Sequence, residues 1–485
     1  MVRILPVLHI LAHVIVILAV FMMVPLGLSM AIDDGAAKAY AEALLVTALT
    51  GIALWAATRR HKRELQTRDG FLLVSLVWTV LPVFAMLPLL LYIPGLSVTD
   101  AYFEGVSGLT ASGGTVLTGL DHLPPSINIW RGLMIWLGGM GIIVLAVAVL
   151  PLLGVGGSQA FRAETPGPMK DSKLTPRITQ TAKGLWLVYV CLTAACMLSY
   201  RVAGMSWLDA VMHGFTTTGL GGFSTHDESF AWFNSPVMEA VAIVFMTISG
   251  INYATHFLLL RGGGLRVYRR DPEALAYIGL LAGSSLMIAL FLMHGGVFDS
   301  FWTAMRYAAF NVVSVATTTG YATTDYNLWP TFAPVWLLFI SCFACCSGST
   351  GGGIKMIRAR MMLHQAVREM TRIVHPRALT PVKINGAPVE NNIIFAVLAF
   401  MLMYGTTLIA GTMLLAVSGA DIVTAFSAIV ACINNMGPGL NKVGPASTFA
   451  VLNDFQTWVC TFVMLLGRLE LFTLIVVLTP SFWRR

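Results

Sequence analysis

Apolar residues run along this chain in long blocks separated by short polar or basic stretches. A helix needs about 20 apolar residues to cross a bilayer. By that measure the pattern predicts spans at roughly 5–30, 39–57, 71–92, 129–153, 185–204, 237–260, 275–294, 334–361 with an interruption, 392–416 and 456–479. Shorter apolar segments lie near 101–112, 210–221, 302–319 and 422–436, and each ends in Gly, Thr, Ser or Asn. They are too short to cross, which predicts re-entrant elements. From residue 70 onward one order recurs: span, short segment, polar turn, span, basic loop. Internal repetition of this kind decides the fold before any local detail does.

Charge fixes the orientation. The chain is 57% hydrophobic and 11% charged, against about 25% charged residues in soluble domains. Of its 30 Lys and Arg, 24 fall on one face if each short segment leaves by the side it entered. They sit at Arg3, in the 58–69, 154–184 and 261–274 loops, along 355–391, and at Arg484-Arg485. The positive-inside rule makes that face cytoplasmic, with both termini on it. Had the short segments crossed fully, the basic loops would alternate between faces. No basic soluble domain exists to suggest a nucleic-acid partner. The Met1-Val2-Arg3 start resembles a signal sequence, but the apolar run behind it exceeds the usual 7–15 residues, which predicts a retained span. The seven cysteines all lie in apolar stretches and read as small packing residues, Cys342, Cys345 and Cys346 included.

Within each repeat the short segment runs into a polar, glycine-bearing turn. The four turns are Leu109-Thr110-Ala111-Ser112-Gly113-Gly114-Thr115, Thr217-Thr218-Gly219-Leu220-Gly221-Gly222-Phe223-Ser224, Ala316-Thr317-Thr318-Thr319-Gly320-Tyr321 and Cys432-Ile433-Asn434-Asn435-Met436-Gly437-Pro438-Gly439. An Asp precedes each: Asp100, Asp209, Asp299 and Asp421, at 13, 13, 21 and 16 residues from Gly113, Gly222, Gly320 and Gly437. Near a helix N-terminus such an Asp favours the macrodipole, or serves as an ordinary cap. Non-helical backbone at membrane depth survives only when buried in protein or lining water. Four such strands can surround one axis, where carbonyl oxygens replace the hydration shell of a cation and glycine frees the backbone to aim them.

On these residues the chain resembles the ion-translocating subunits of bacterial Trk potassium uptake systems (the TrkH/TrkG type), in a superfamily with KtrB and the plant HKT transporters. Further pieces of the resemblance are Phe161-Arg162-Ala163-Glu164-Thr165-Pro166-Gly167-Pro168 and Gly222-Phe223-Ser224-Thr225-His226-Asp227. The resemblance implies an all-α polytopic membrane protein, with four pseudo-fourfold repeats of span, half-helix pore loop and span around one ion pore, plus two extra N-terminal spans. The corresponding divisions are 1–69, 70–155, 156–270, 271–375 and 376–485. It also implies a filter for a transported potassium ion built from Thr110, Ala111, Ser112 and Gly113, from Leu220, Gly221 and Gly222, from Thr318, Thr319 and Gly320, and from Asn435, Met436 and Gly437. Gly219 rivals Gly222, since Thr217-Thr218-Gly219 mimics Thr318-Thr319-Gly320; His213 lies nine residues before Gly222, a spacing that resembles the KtrB pattern and favours the latter. Glycine at 113, where sodium-selective HKT transporters carry serine, implies potassium. The expected setting is the bacterial inner membrane among lipid, as a homodimer bound to a cytosolic nucleotide-binding ring resembling TrkA. This chain itself shows no phosphate-binding glycine loop and no organic cofactor site.

Two features inside the later spans suggest a gate. Ser347-Gly348-Ser349-Thr350-Gly351-Gly352-Gly353 interrupts the eighth span, and three successive glycines disfavour helix by about 1 kcal/mol each. By resemblance, Gly351, Gly352 and Gly353 belong to an intramembrane loop that obstructs the pore. Arg468 lies about 12 residues into the last span. A charge at that depth usually faces the bundle interior, and the resemblance puts it beneath the filter. Glu470 is two residues away, too close in sequence to face it on a helix. Glu104 is read as adding negative potential at the outer mouth or as facing water. His213 and Arg306 read as structural, His9 and His13 as helix-packing hydrogen bonders, and Asn252 and Tyr253 as glue between helices. The alternative to a conducting pore is a proton- or sodium-coupled potassium symporter, for which Glu470 is the one intramembrane acid at hand; a pump subunit resembling KdpA ranks below both. No nucleophile–base pair or metal cluster supports an enzyme.

Overall fold

The computed structural model describes residues 4–61, 65–144, 178–378 and 380–484. Arg3, Lys62, Arg63, the 161–168 motif, Lys170, Lys173, Arg177 and Arg485 lie outside the described residues.

Helices dominate. Ile4–Ile32 and Ala37–Thr58 pair with each other and then lean on Thr67–Ala85, Leu87–Tyr92 and Pro125–Val144. His9 Nδ1 lies 3.2 Å from Thr58 Oγ1 and joins the first two helices, whereas the exposed His13 places Nδ1 2.8 Å from the His9 carbonyl of its own helix. The four short segments form the half-helices Val98–Leu109, Trp207–Gly219, Phe301–Ala316 and Ile422–Asn434. Each lies between helices of its own repeat. Each repeat's second helix also packs on the next repeat's half-helix: Pro125–Val144 on Trp207–Gly219, Pro236–Ser249 on Phe301–Ala316, Phe332–Ser341 on Ile422–Asn434, and Asp454–Arg468 back on Val98–Leu109. That last contact closes the series into a cycle.

The four Asp residues do not mark one structural position. Asp100 and Asp209 sit in the first turn behind the N-caps Ser97 and Ser206, whereas Asp421 is itself the N-cap and Asp299 precedes the helix. The half-helices have 12, 13, 16 and 13 residues, which accounts for part of the unequal Asp-to-glycine spacing.

Among the described residues, six helices are long and apolar enough to cross a membrane, or eight if two bent pairs count as one span each. The sequence pattern suggested ten spans, with one interruption. The 129–153 span leaves the described residues after 144, and the eighth begins as the ten-residue helix Phe332–Ser341. The sixth is broken too: Pro236–Ser249 meets the 253–263 segment at 92°. Its Gly250 lies so close to the Tyr277 hydroxyl that a side chain would clash, and Asn252 starts the second piece by accepting from the Ala254 N–H. The tenth bends by 114° between Asp454–Arg468 and Phe472–Leu478, where Glu470 and Leu471 take φ of +52° and +58°. One hairpin departs from the all-helical pattern. Lys383–Ile384 pairs antiparallel with Ala387–Pro388 through Asn385-Gly386, both at positive φ, as the favoured two-residue hairpin turn requires.

Candidate functional site

All four half-helices end alike. The N–H of residues 112, 221, 319 and 436 reaches the carbonyl five residues back, at Ser107, Thr216, Ser314 and Ala431, over 2.8–3.1 Å. The preceding N–H, on Ala111, Leu220, Thr318 and Asn435, reaches the carbonyl three back, at Gly108, Thr217, Val315 and Cys432. This paired closure is the Schellman motif, which places its C′ residue in the left-handed region. Here that residue is Ala111, Leu220, Thr318 or Asn435, with φ between +51° and +59°. None is glycine. Two residues later stands a glycine that also has positive φ: Gly113 (+79°), Gly222 (+64°), Gly320 (+89°) and Gly437 (+92°). Gly219 remains in the last turn of its half-helix, so Gly222 is the residue equivalent to the other three.

The glycines close on one another in order. A Cβ on Gly113 would overlap the Gly221 carbonyl oxygen, one on Gly222 the Thr319 carbonyl oxygen, and one on Gly320 the Met436 carbonyl oxygen. The circuit ends more loosely, with a Cβ on Gly437 lying 3.1 Å from the Ser112 carbonyl oxygen. Asn435 stitches the same junction by donating 2.7 Å to Ser112 Oγ and 3.0 Å to the Met464 carbonyl. First and third repeats match further. The hydroxyls of Thr110 and Ser112 meet at 2.8 Å, as do those of Thr317 and Thr319.

On the return-strand side of this ring lies a cavity of about 80 Å³ lined by Gly113, Gly222, Gly320 and neighbouring strand residues including His226 and Asp227. At its rim the His226 ring stacks on Trp232 and pairs with Asp121 and, at 3.5 Å, with Asp209. Burial opposes a charge on His226, but the two carboxylates outweigh it and hold the imidazole pKa above its usual value. Asp227 adds a second tie by accepting from the N–H groups of Gly119 and Leu120.

On the half-helix side lies the irregular stretch 342–355. Thr350 Oγ1 donates 3.0 Å to the Thr218 carbonyl, and the Gly352 N–H donates 2.8 Å to Thr318 Oγ1. A Cβ on Gly352 would overlap the Asn434 carbonyl oxygen, and one on Gly351 would lie 3.1 Å from the Thr317 carbonyl oxygen. Gly353 takes φ of +78° against the Ser341 and Cys342 carbonyls. Three half-helix ends therefore touch this segment. Arg468, only 2% exposed, donates 3.1 Å to the Thr350 carbonyl and 3.0 Å to that of Gly138, with Trp78 beside its guanidinium. Lys355 Nζ donates to the Gly351 carbonyl. Glu273 accepts from the N–H groups of Ser347 and Ile357. The break at Gly250 and Asn252 belongs to the same assembly: Cys346 N–H donates to the Gly250 carbonyl and Tyr253 N–H to that of Gly348. Asn252 and Tyr253 are thus seats for this stretch rather than general helix glue.

Several expectations change. Glu104 does not face water; it stands one layer behind the cavity, bonded to Thr115 and Arg131, which both line it. Its side chain is fully buried and paired at 2.9 Å with Arg131, equally buried. Arg131 carried the same signal as Arg468, a charge inside an apolar span, but lies near the span's start, where a charge is ordinary. Glu470 pairs with Arg358 of the third repeat at 2.7 Å. Arg306 keeps the structural role read for it, in a two-pronged pair with Glu239. Lys355 and Glu273 went unread because each sits where a span meets a basic loop.

Comparison with known proteins agrees with this architecture. The family model for TrkH, a cation transport protein, matches residues 36–485. The Trk system potassium uptake protein TrkH of Salmonella typhimurium is 46% identical over 452 residues, 93% of each chain. TrkG of Escherichia coli K12 is 38% identical over 431 residues, covering 89% of this chain and 88% of its own. The crystal structure of the potassium transporter TrkH from Vibrio parahaemolyticus superposes with a TM-score of 0.92 at 41% identity, over 99% of this chain and 100% of that one.

Proposed function

We propose, for a chain that belongs to the TrkH family of cation transport proteins, that it conducts potassium into the cell through the ring of Gly113, Gly222, Gly320 and Gly437. One observation carries the reading: four backbone returns of identical form meet in cyclic order, each with glycine at positive φ where any side chain would meet the next repeat's carbonyl. Such a ring brings carbonyls from residues 110–113, 220–222, 318–320 and 435–437 to one axis, the arrangement that substitutes for a cation's water shell. The half-helices direct their C-terminal, partly negative ends toward the same place, favouring a cation without a carboxylate. Catalytic chemistry is foreign to this family, which transports ions.

Gly351, Gly352 and Gly353 act as the gate. They lie across the half-helix ends, and Arg468 holds the segment in place while adding positive charge to the path. Opening requires the 342–355 stretch to move. That work falls to a cytosolic nucleotide-binding ring resembling TrkA, which docks on the basic face of a homodimer in the inner membrane, both termini cytoplasmic. The symport reading loses its main support, because Glu470 is engaged by Arg358.

Reversal potentials of the purified protein in bilayers under opposed potassium and sodium gradients test the reading. A potential near the potassium equilibrium value is expected. Potassium accumulation driven by an imposed proton or sodium gradient, with no potassium gradient, overturns it in favour of symport.

A further inference from the structure

Beyond the ring itself, each return strand is tied back to its own half-helix by a side chain at a fixed place. Counting from the ring glycine, the residue nine positions earlier is Glu104, His213, Asn311 or Ala428, with Ser427 adjacent to the last. Glu104 accepts from Thr115 Oγ1 at 3.0 Å and from the Val116 N–H at 3.2 Å. His213 Nε2 lies 3.0 Å from Ser224 Oγ. The Asn311 amide donates 2.9 Å to Thr323 Oγ1 and its oxygen accepts from the Thr323 N–H. Ser427 Oγ accepts from the Leu440 N–H at 2.9 Å. Every partner stands two or three residues beyond its ring glycine. These are four solutions to one mechanical task, since a return strand has no helical ladder to fix its position.

Only the first solution, among the described residues, is an ion pair. Arg131 donates through Nε to Glu104 at 2.9 Å, through Nη2 to Thr115 Oγ1 at 3.1 Å, and through Nη1 to the Ser224 carbonyl at 3.1 Å. Its guanidinium also covers the Phe223 ring at 4.3 Å. The planar fork thus joins the first return strand to the second, a geometry that a lysine cannot reproduce. In a fully buried site such charge-assisted bonds hold harder than neutral ones.

We infer that Glu104 and Arg131 are positioning residues for ion selection: they fix the spacing of the first two return strands, and with it the ring's preference for potassium over sodium. The inference rests on the ring's being the filter. A role in stability alone would change how much protein folds, but not the permeability ratio of the molecules that do.

The test is the potassium-to-sodium permeability ratio of reconstituted Arg131→Lys, Thr115→Val, Ser427→Ala and Gly113→Ser proteins. Arg131→Lys keeps the charge and loses the fork; its ratio should fall about fivefold, the factor for one ordinary hydrogen bond. Thr115→Val cuts the links to Glu104 and Arg131, and the bond from the Leu117 N–H, without stranding a charge, and should lower the ratio in the same direction. If Arg131→Lys does not fold, Thr115→Val decides. Ser427→Ala, which loosens a neutral tie, should cost less than either, and an equal or greater loss there would overturn the special role of the ion pair. A wild-type ratio in folded Arg131→Lys or Thr115→Val sinks the inference. Gly113→Ser separates the two levels: if it alone shifts the ratio, the ring stands and the tie fails; if it too leaves the ratio unchanged, the ring is not the filter.

Discussion

The ring and the stretch beneath it are both irregular backbone packed among apolar helices, and they are held by opposite means. In the ring the same two backbone bonds recur four times, and the left-handed position accepts Ala111, Leu220, Thr318 or Asn435 alike. Side-chain identity hardly matters to the turn itself, although Asn435 and Thr318 each add a bond of their own beyond it. Order comes from the helix end, and each return is braced by the next. The 342–355 stretch has no such repetition. Its hold comes from unlike polar contacts: Arg468, Glu273, the Gly250 carbonyl, the Tyr253 N–H and the Thr218 carbonyl from distant segments, and Lys355 from within. Backbone secured by many equivalent bonds resists the loss of any one. Backbone secured by a few unlike contacts can release when one changes, which is how a two-state element is built. On the proposed function, rigidity falls to the layer proposed to select and lability to the layer proposed to block.

The hardest blow to this contrast falls at Gly113. Gly113→Ser would place a Cβ on the Gly221 carbonyl at a backbone angle that side chains resist. Strain of this kind is worth up to ~3 kcal/mol. Taken up entirely by the ring, it amounts to a fall of about a hundredfold in potassium-to-sodium permeability ratio, since 1.4 kcal/mol is a factor of ten. Gly437→Ala sharpens the prediction, because its nearest neighbour lies at 3.1 Å and its junction is the loose one. The ratio should suffer less there than in Gly113→Ala, Gly222→Ala or Gly320→Ala. Equal losses at all four positions would remove the steric ranking, and no loss at Gly113 would remove the ring.

The same contrast governs what could be read from the sequence. The ring was legible because it is repeated: short apolar segments ending in Gly, Thr and Asn announce themselves four times, and a periodic pattern needs no tertiary knowledge. Even so, the Thr-Thr-Gly motif alone left Gly219 a rival of Gly222, and only the His213 spacing favoured the latter, because the choice depends on which residue leaves the helix, and Leu220 does so in a conformation ordinarily given to glycine. The stretch beneath the ring was legible only as a defect, three glycines in a span. What it touches was not, because Asn252, Glu273 and Lys355 are brought together from distant segments. The breaks at 250–252 and 469–471 escaped because the apolar blocks on either side read as one span despite Asn252, Arg468 and Glu470 between them; Gly348 contacts the first break and Arg358 the second. Glu104 was visible as an acid but not as half of an ion pair.

Arg468→Ala tests the labile side. It deletes two hydrogen bonds from a charged donor, one to the Thr350 carbonyl and one to that of Gly138. Bonds of that class contribute about 1.5 kcal/mol or more each. Losing the one that secures the gate should raise potassium flux through the protein, without any cytosolic partner, by about tenfold. The permeability ratio should stay near wild type, since the ring keeps its own bonds. Flux measured in liposomes by potassium-driven uptake checks the first point and reversal potential the second. Unchanged flux would remove Arg468 from the gate, and a collapsed ratio would mean that the two layers are not held independently.

The smallest effect belongs to the outer rim, where a titratable group ties the first two repeats together. His226 pairs with Asp121 and Asp209, with His213 close behind it and Asp227 bound to Gly119 and Leu120 alongside. Its pKa is raised by those carboxylates against the cost of burial, so the charged imidazole stabilises the folded protein. That contribution is complete below the ordinary histidine pKa of about 6.5 and is lost as pH climbs through the raised value. The rim is partly exposed, so the gain is modest: a Tm about 1–2 °C higher at pH 6 than at pH 9, by thermal unfolding in detergent. In His226→Gln this increment should vanish while the changes common to both proteins remain. If wild type and variant show the same pH dependence, the pairs do not bind the rim together, and the ring's rigidity owes nothing to its outer edge.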